Sequence, residues 1–105
     1  MRFTTSYHQV DRSSSLDDFT FSQTEVKLVM FLGKIVSCDW IFSKEGDGFS
    51  TKLHIHSSLI NEVFESKGHD FYYGVDHCLN KAKKLLKKST GKKLSSRDHR
   101  DKRAA

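Results

Sequence analysis

The chain has 105 residues, 36 % hydrophobic and 30 % charged, which is enough for one domain and one core and leaves no room for a separate catalytic domain. Its net charge of +5 averages two opposite regions: residues 81–105 carry eleven Lys or Arg against Asp98 and Asp101, a net of +9, whereas residues 1–80 carry seven basic and eleven acidic residues, a net of −4. No secretory leader is visible and the longest apolar run, Leu28 to Leu32, is far short of the ~20 residues of a spanning helix, so a cytoplasmic protein that makes no membrane contact is expected, turned by its basic end toward a polyanion, nucleic acid first.

Arg2 to Val10 is rich in β-branched and aromatic residues, with Phe3, Thr5 and Tyr7 on one side of the pleat, and is predicted as a strand. Ser13 to Ser15 then offer N-cap hydroxyls, and Asp17 and Asp18 suit the positive end of a helix. Apolar residues at Leu16, Phe19, Phe21, Val26, Val29, Met30 and Leu32 carry that helix to near Gly33, although the period is imperfect and Thr20, Ser22 and Thr24 are poor helix formers. From Lys34 to Ser43 the alternation predicts a strand, with Val36, Cys38, Trp40 and Phe42 on the apolar face and Ser37, Asp39 and Ser43 opposite. Lys44 to Gly48 form a turn, after which Phe49, Thr51, Leu53 and Ile55 alternate against Ser50, Lys52, His54 and His56 to complete a hairpin. Ser57 and Ser58 mark a second turn, and Leu59 to Ser66 supply a further strand before Gly68.

Asp70 is placed to cap a helix whose apolar positions Phe71, Val75, Cys78, Leu79, Ala82, Leu85 and Leu86 follow the spacing of one buried stripe. At ~100° per residue, Lys81, Lys84 and Lys88 share one shoulder of that stripe with His77, while Lys83 and Lys87 flank the other. Gly91 is a natural stop. Lys92 to Ala105 contain one large apolar residue, Leu94, too little to offset ordering entropy, and are expected to form a disordered basic tail. The expected organisation is an α+β domain over residues 1–91, in the order β-α-β-β-β-α, with a tail over 92–105. A four-stranded mixed sheet with two helices packed on one face satisfies that order, the first strand running parallel to a neighbour through a right-handed crossover.

Three stretches resemble the short hibernation-promoting factor family, the ribosome-associated inhibitors also called protein Y. Trp40-Ile41-Phe42-Ser43-Lys44-Glu45 followed by Gly48-Phe49 is similar to the family's second strand and turn. Asp70-Phe71-Tyr72-Tyr73-Gly74-Val75-Asp76 resembles its Asp-Met-Tyr-x-Ala-Ile-Asp helix opening, with spaced basic residues continuing from Lys81 to Lys88. Lys27-Leu28 fits a Lys-Leu pair near the end of its first helix. The resemblance spans roughly residues 2 to 93, with order and pattern carrying much of it. It implies a bacterial stationary-phase stress factor that occupies the messenger and transfer RNA channel of the small ribosomal subunit and keeps idle ribosomes from translating. It also implies no catalysis, no cofactor, no small-molecule substrate and a monomer when free. The RNA-contacting set so implied is Lys27 with Lys81, Lys84 and Lys88; the basic run of the chain itself adds Lys87 and, in the tail, Lys92 and Lys93 as candidate contacts. Where the family has further basic residues on the first helix, this chain has Thr24, Val29 and Met30.

A lysine cluster is more often a solvated face than a site, but lysines on a rigid helix meet phosphates at fixed spacing, and A-form RNA is read largely through such contacts. The tail is equally an RNA-binding arm or a solubilising end. His54-x-His56 has no third and fourth ligand at metal spacing. Cys78 beside His77 or His69 falls on the apolar stripe, where a buried free thiol is expected, as for Cys38. Trp40, Phe42, Phe49 and Phe71 fall on core faces, leaving Tyr73 as the aromatic best placed to meet a base. Two rivals stand beside the ribosomal reading: a general double-stranded RNA-binding module, and a small hydrolase built on His54, His56 and Asp39.

Overall fold

Period-2 alternation and one long 3/4 stripe lay down most of the molecule. In a computed structural model the chain runs β1 (Arg2–His8), α1 (Ser14–Lys27), a 3-10 segment (Val29–Lys34), β2 (Ile35–Glu45), β3 (Gly48–Ser57), β4 (Asn61–Gly68) and α2 (Phe71–Ala104). The structure describes the backbone of residues 1–104 and the side chains of residues 1–90. α2 continues through Gly91, where a stop was expected. The reading of Lys92 to Ala105 as a disordered tail lies outside the residues whose side chains are described.

The sheet order is β1-β2-β3-β4, with β1 parallel to β2 and the remaining pairs antiparallel, the mixed sheet expected. Glu45 pairs with Gly48, leaving Gly46-Asp47 as the hairpin loop. Gly46 takes φ 60° at the first central position, which glycine adopts without steric cost and which suits a two-residue hairpin loop. Strand register aligns Thr5, Trp40, Leu53 and Phe64 across the sheet, followed by Tyr7, Phe42, Thr51 and Ser66. This face carries the core: Cys38, Trp40, Phe42, Leu53 and Ile55 pack with Leu16 and Leu28 from the α1 side and with Val75, Leu79, Ala82 and Leu86 of α2. Full burial of side chains of this size contributes about 1.5–3 kcal/mol each.

Two further sequence expectations need correction. Val36 is 59 % exposed and Ile35 is buried instead, because the register between β2 and β3 shifts between Ile35 and Ser37. The extra residue of a bulge reverses the facing of everything before it. The first helix also ends at Lys27 rather than near Gly33, and the chain tightens into the 3-10 segment that buries Phe31. The imperfect period of α1 has a simple cause: its inward positions are Leu16, Thr20 and Thr24, continued by Leu28. Thr24 is admitted to the core because its hydroxyl donates to the Thr20 carbonyl at 2.7 Å.

Both helix starts are capped as expected. The Ser13 hydroxyl accepts from the Leu16 amide, and the Asp70 carboxylate accepts from the Tyr72 amide at 2.9 Å. The entry to α1 is tied to β1 through Tyr7, whose single hydroxyl proton is shared between Asp17 at 2.9 Å and the Ser13 carbonyl at 3.1 Å. Arg12 lies over the Tyr7 ring at 4.9 Å and donates to Asp17 and to the Thr5 carbonyl. Burial, reinforced by the hydrogen bond to Asp17, pushes the Tyr7 phenol up to about 12.

Candidate nucleic-acid interface

α2 packs over β3 and β4 with α1 alongside, so the stripe Val75, Cys78, Leu79, Ala82 and Leu86 turns inward and the opposite surface faces out. On the outer shoulder two shallow grooves adjoin: His77, Asn80, Lys81 and Lys84 line one, and Lys81, Lys84, Leu85 and Lys88 line the next. The structure therefore brings together Lys81, Lys84 and Lys88 with His77, as the helical wheel placed them. At ~1.5 Å per residue, Lys84 and Lys88 stand about 6 Å apart along the axis and Lys81 and Lys88 about 10 Å. Lys87 is exposed on the other shoulder. The side chains of Lys92 and Lys93 lie outside the described residues.

Lys81 is steadied by donating to the Glu65 carbonyl of β4 at 3.1 Å. A neutral acceptor orients the ammonium without cancelling its charge. Among the described residues, none of Lys81, Lys84, Lys87 and Lys88 lies within 4.0 Å of a carboxylate oxygen. Lys27 differs: its ammonium sits 2.7 Å from Asp76 and donates to the Asn80 side chain at 3.0 Å, linking α1 to α2. Asn80 in turn donates to Asp76 at 3.3 Å. Lys27 is thus a cation fixed beside the strip but largely neutralised by its partner. Asp76 and Asn80 were not singled out from the sequence, where their i, i+4 spacing was the available signal.

Thr24 of α1 is buried, so it cannot be a surface contact, whereas Val29 and Met30, which lie in the 3-10 segment after the helix, are 62 % and 77 % exposed. These two positions therefore add apolar rather than basic surface. Tyr73 projects from α2 with its ring stacked on His77, centroids 5.7 Å apart at 26°. The sequence had placed Tyr73 outward but had not paired it with His77.

Of the hydrolase candidates, Asp39 and His54 are cross-strand partners in β2 and β3, but each is engaged by another residue. His54 hydrogen-bonds Asn61 at 2.8 Å, and Asp39 accepts from Thr4 at 2.6 Å, both on the sheet face away from the helices. Cys78 is buried and its thiol points at the Thr51 and Phe64 carbonyls, while burial pushes it up to about 12. It is a core thiol, as is Cys38, pushed up to about 12 by the same cause. Among the described residues no helix is long and apolar enough to cross a membrane.

No protein-family model matches the sequence, and no curated protein matches it significantly. The fold does have solved counterparts. A ribosomal subunit interface protein from Coxiella burnetii is similar with a TM-score of 0.73 and 20 % identity, covering 87 % of this chain and 99 % of its own. The N-terminal domain of Protein Y from Thermus thermophilus is similar with a TM-score of 0.74 and 10 % identity, covering 84 % of this chain and 98 % of its own. At such identities the likeness shows a shared fold, and it is the fold that the sequence resemblance to the protein Y family implied.

Proposed function

We propose that this chain is a non-catalytic, cytoplasmic, ribosome-associated factor of the hibernation-promoting kind, which docks on ribosomal RNA of the small subunit and obstructs the messenger and transfer RNA channel. The observation that carries the reading is the strip Lys81, Lys84 and Lys88, free of carboxylate partners among the described residues, on a fold shared with a ribosomal subunit interface protein. The sheet and core hold α2 rigid, so its ammonium groups meet phosphates at set intervals, and release of condensed counterions supplies the affinity. Nothing in this scheme needs a base-reading code, a metal or a bond-making step.

Sedimentation of the full chain with purified small subunits tests the proposal. Saturable one-to-one binding that messenger and transfer RNA displace is expected. Indifference to those ligands would reject channel binding in favour of a general double-stranded RNA binder. The triple variant Lys81→Glu, Lys84→Glu, Lys88→Glu should stay folded, since all three are exposed, and should no longer co-sediment at moderate salt. Undiminished co-sedimentation of the folded variant would remove the strip from the mechanism.

A further inference from the structure

The lysine strip accounts for phosphate contacts and leaves one exposed feature at its head without a role. Tyr73 is 59 % exposed, and its ring is not loose: it stacks on His77, which itself lines the first groove with Asn80, Lys81 and Lys84. Its neighbour Tyr72 provides the contrast, because the Tyr72 ring is spent on an edge contact with Phe19 of α1 at 4.8 Å. Isolated exposed aromatics need no explanation. An ordered ring one helical turn from a lysine-lined groove is a different object, since it offers a flat apolar face beside fixed cations. Single-stranded nucleic acid is held by that pairing of stacking surface and basic groove, whereas a duplex keeps its bases stacked on each other and presents none to the protein.

We propose that Tyr73, braced by His77, is a stacking platform for one unpaired RNA base, with the adjoining phosphates on Lys81 and Lys84, so that the strip takes a single-stranded or bulged segment in preference to a continuous duplex. This rests on the RNA-binding reading above and goes beyond it by naming the kind of RNA and a residue for each part. Stacking adds affinity that salt barely screens, whereas the lysines add affinity that falls steeply with salt.

The test uses the full chain, a 12-nucleotide single-stranded RNA carrying one 2-aminopurine, and a blunt duplex of the same length, each titrated at several salt concentrations. The wild-type chain should bind the single strand more tightly and quench the 2-aminopurine. Tyr73→Ala should lose about ten-fold or more on the single strand, lose the quench, keep the salt slope and leave duplex binding unchanged. Tyr73→Phe should behave as wild type. Lys84→Gln should instead reduce the salt slope on both ligands. Equal affinity of Tyr73→Ala and wild type for the single strand, or equal losses on both ligands, overturns the platform while leaving small-subunit binding standing. A wild-type chain that binds neither oligonucleotide nor small subunit overturns both together.

Discussion

Gly74 sits in the first turn of α2, directly over β3, and replacing it by Ala sets two known effects against each other. In a helix interior Ala is favoured over Gly by about 1 kcal/mol, so propensity alone predicts a stabilised protein. The packing predicts the reverse. A Cβ added at Gly74 would lie 2.8 Å from the Cβ of Thr51, 3.5 Å from its Cγ2, and against its hydroxyl oxygen at a distance no real contact holds. Thr51 is buried and β-branched, so it cannot swing away, and α2 must lift from the sheet. Overpacking of this kind costs about 1–3 kcal/mol, and a clash with two atoms of a buried side chain belongs at the upper end. Less the propensity gain, the net loss is about 1–2 kcal/mol, or a fall in Tm of roughly 4–15 °C in a thermal melt followed by circular dichroism. Thr51→Ala removes the hydroxyl and methyl but keeps Cβ, so the double variant should recover part of the loss, with a coupling of at least ~0.5 kcal/mol. A Gly74→Ala protein that melts above wild type, or a strictly additive double variant, would refute the close seating of α2 on β3. The helix opening that this chain resembles has Ala at that position, and here the space is taken by Thr51.

Lys27→Met should weaken binding to small subunits less than Lys84→Gln does, because Lys27 is already compensated by Asp76; the loss of a pair this exposed should lower stability by no more than ~1 kcal/mol, and a larger binding loss for Lys27→Met in matched titrations would show Lys27 to be a direct contact. Alkali should expose the Tyr7 clasp. The folded phenol titrates at about 12 and the unfolded one at 10.0, so the unfolded chain releases that proton first, the contribution is intact below pH 10, and it is lost as pH rises from 10 to 12; Tyr7→Phe should show a shallower stability loss over that window in denaturant titrations, and an identical loss would dismiss the clasp. Truncation after Gly91 removes six basic and two acidic residues, and should lower small-subunit affinity and the salt slope while leaving competition by transfer RNA intact; a truncated chain that does not bind at all would make the tail the principal site.

What the sequence made legible follows from which signals are local. α2 was readable because its apolar stripe, its Asp70 cap and its lysine shoulder are all counted along one helix. The β2–β3 hairpin was readable because Trp40, Phe42, Thr51 and Leu53 alternate without interruption around a glycine turn. Ile35 and Val36 exchanged faces because a bulge inserts a residue that period-2 counting does not register. In α1, Thr20 and Thr24 look polar in a linear reading, yet the hydroxyl of Thr24 is answered within the helix, so its methyl serves the core. The pairing of Lys27 with Asp76 joins residues 49 positions apart and depends on how α1 crosses α2, which no local pattern encodes.

That pairing changes how the charge of the molecule is to be read. Counted along the chain, Lys27 belongs with the α2 lysines as one more cation. Placed in space, it faces Asp76 and Asn80 on the α1 side of the helix, while Lys81, Lys84 and Lys88 open on the shoulder toward β4, where Lys81 is held by a carbonyl rather than by a carboxylate. The surface around α2 therefore divides into a neutralised seam, which fixes one helix against the other, and a row of cations whose charge is left to act outward. Val29 and Met30, exposed in the 3-10 segment that follows Lys27, add no charge at all. Lys87 stands uncompensated on the other shoulder, but among the described residues three cations in a row line this one, so on the proposed function the RNA strand follows the line from Tyr73 past Lys84 to Lys88. A charge reversal on the shoulder and one at the seam then act on different quantities: the first removes phosphate contacts at little cost to the fold, and the second loosens the mount before it touches the contacts.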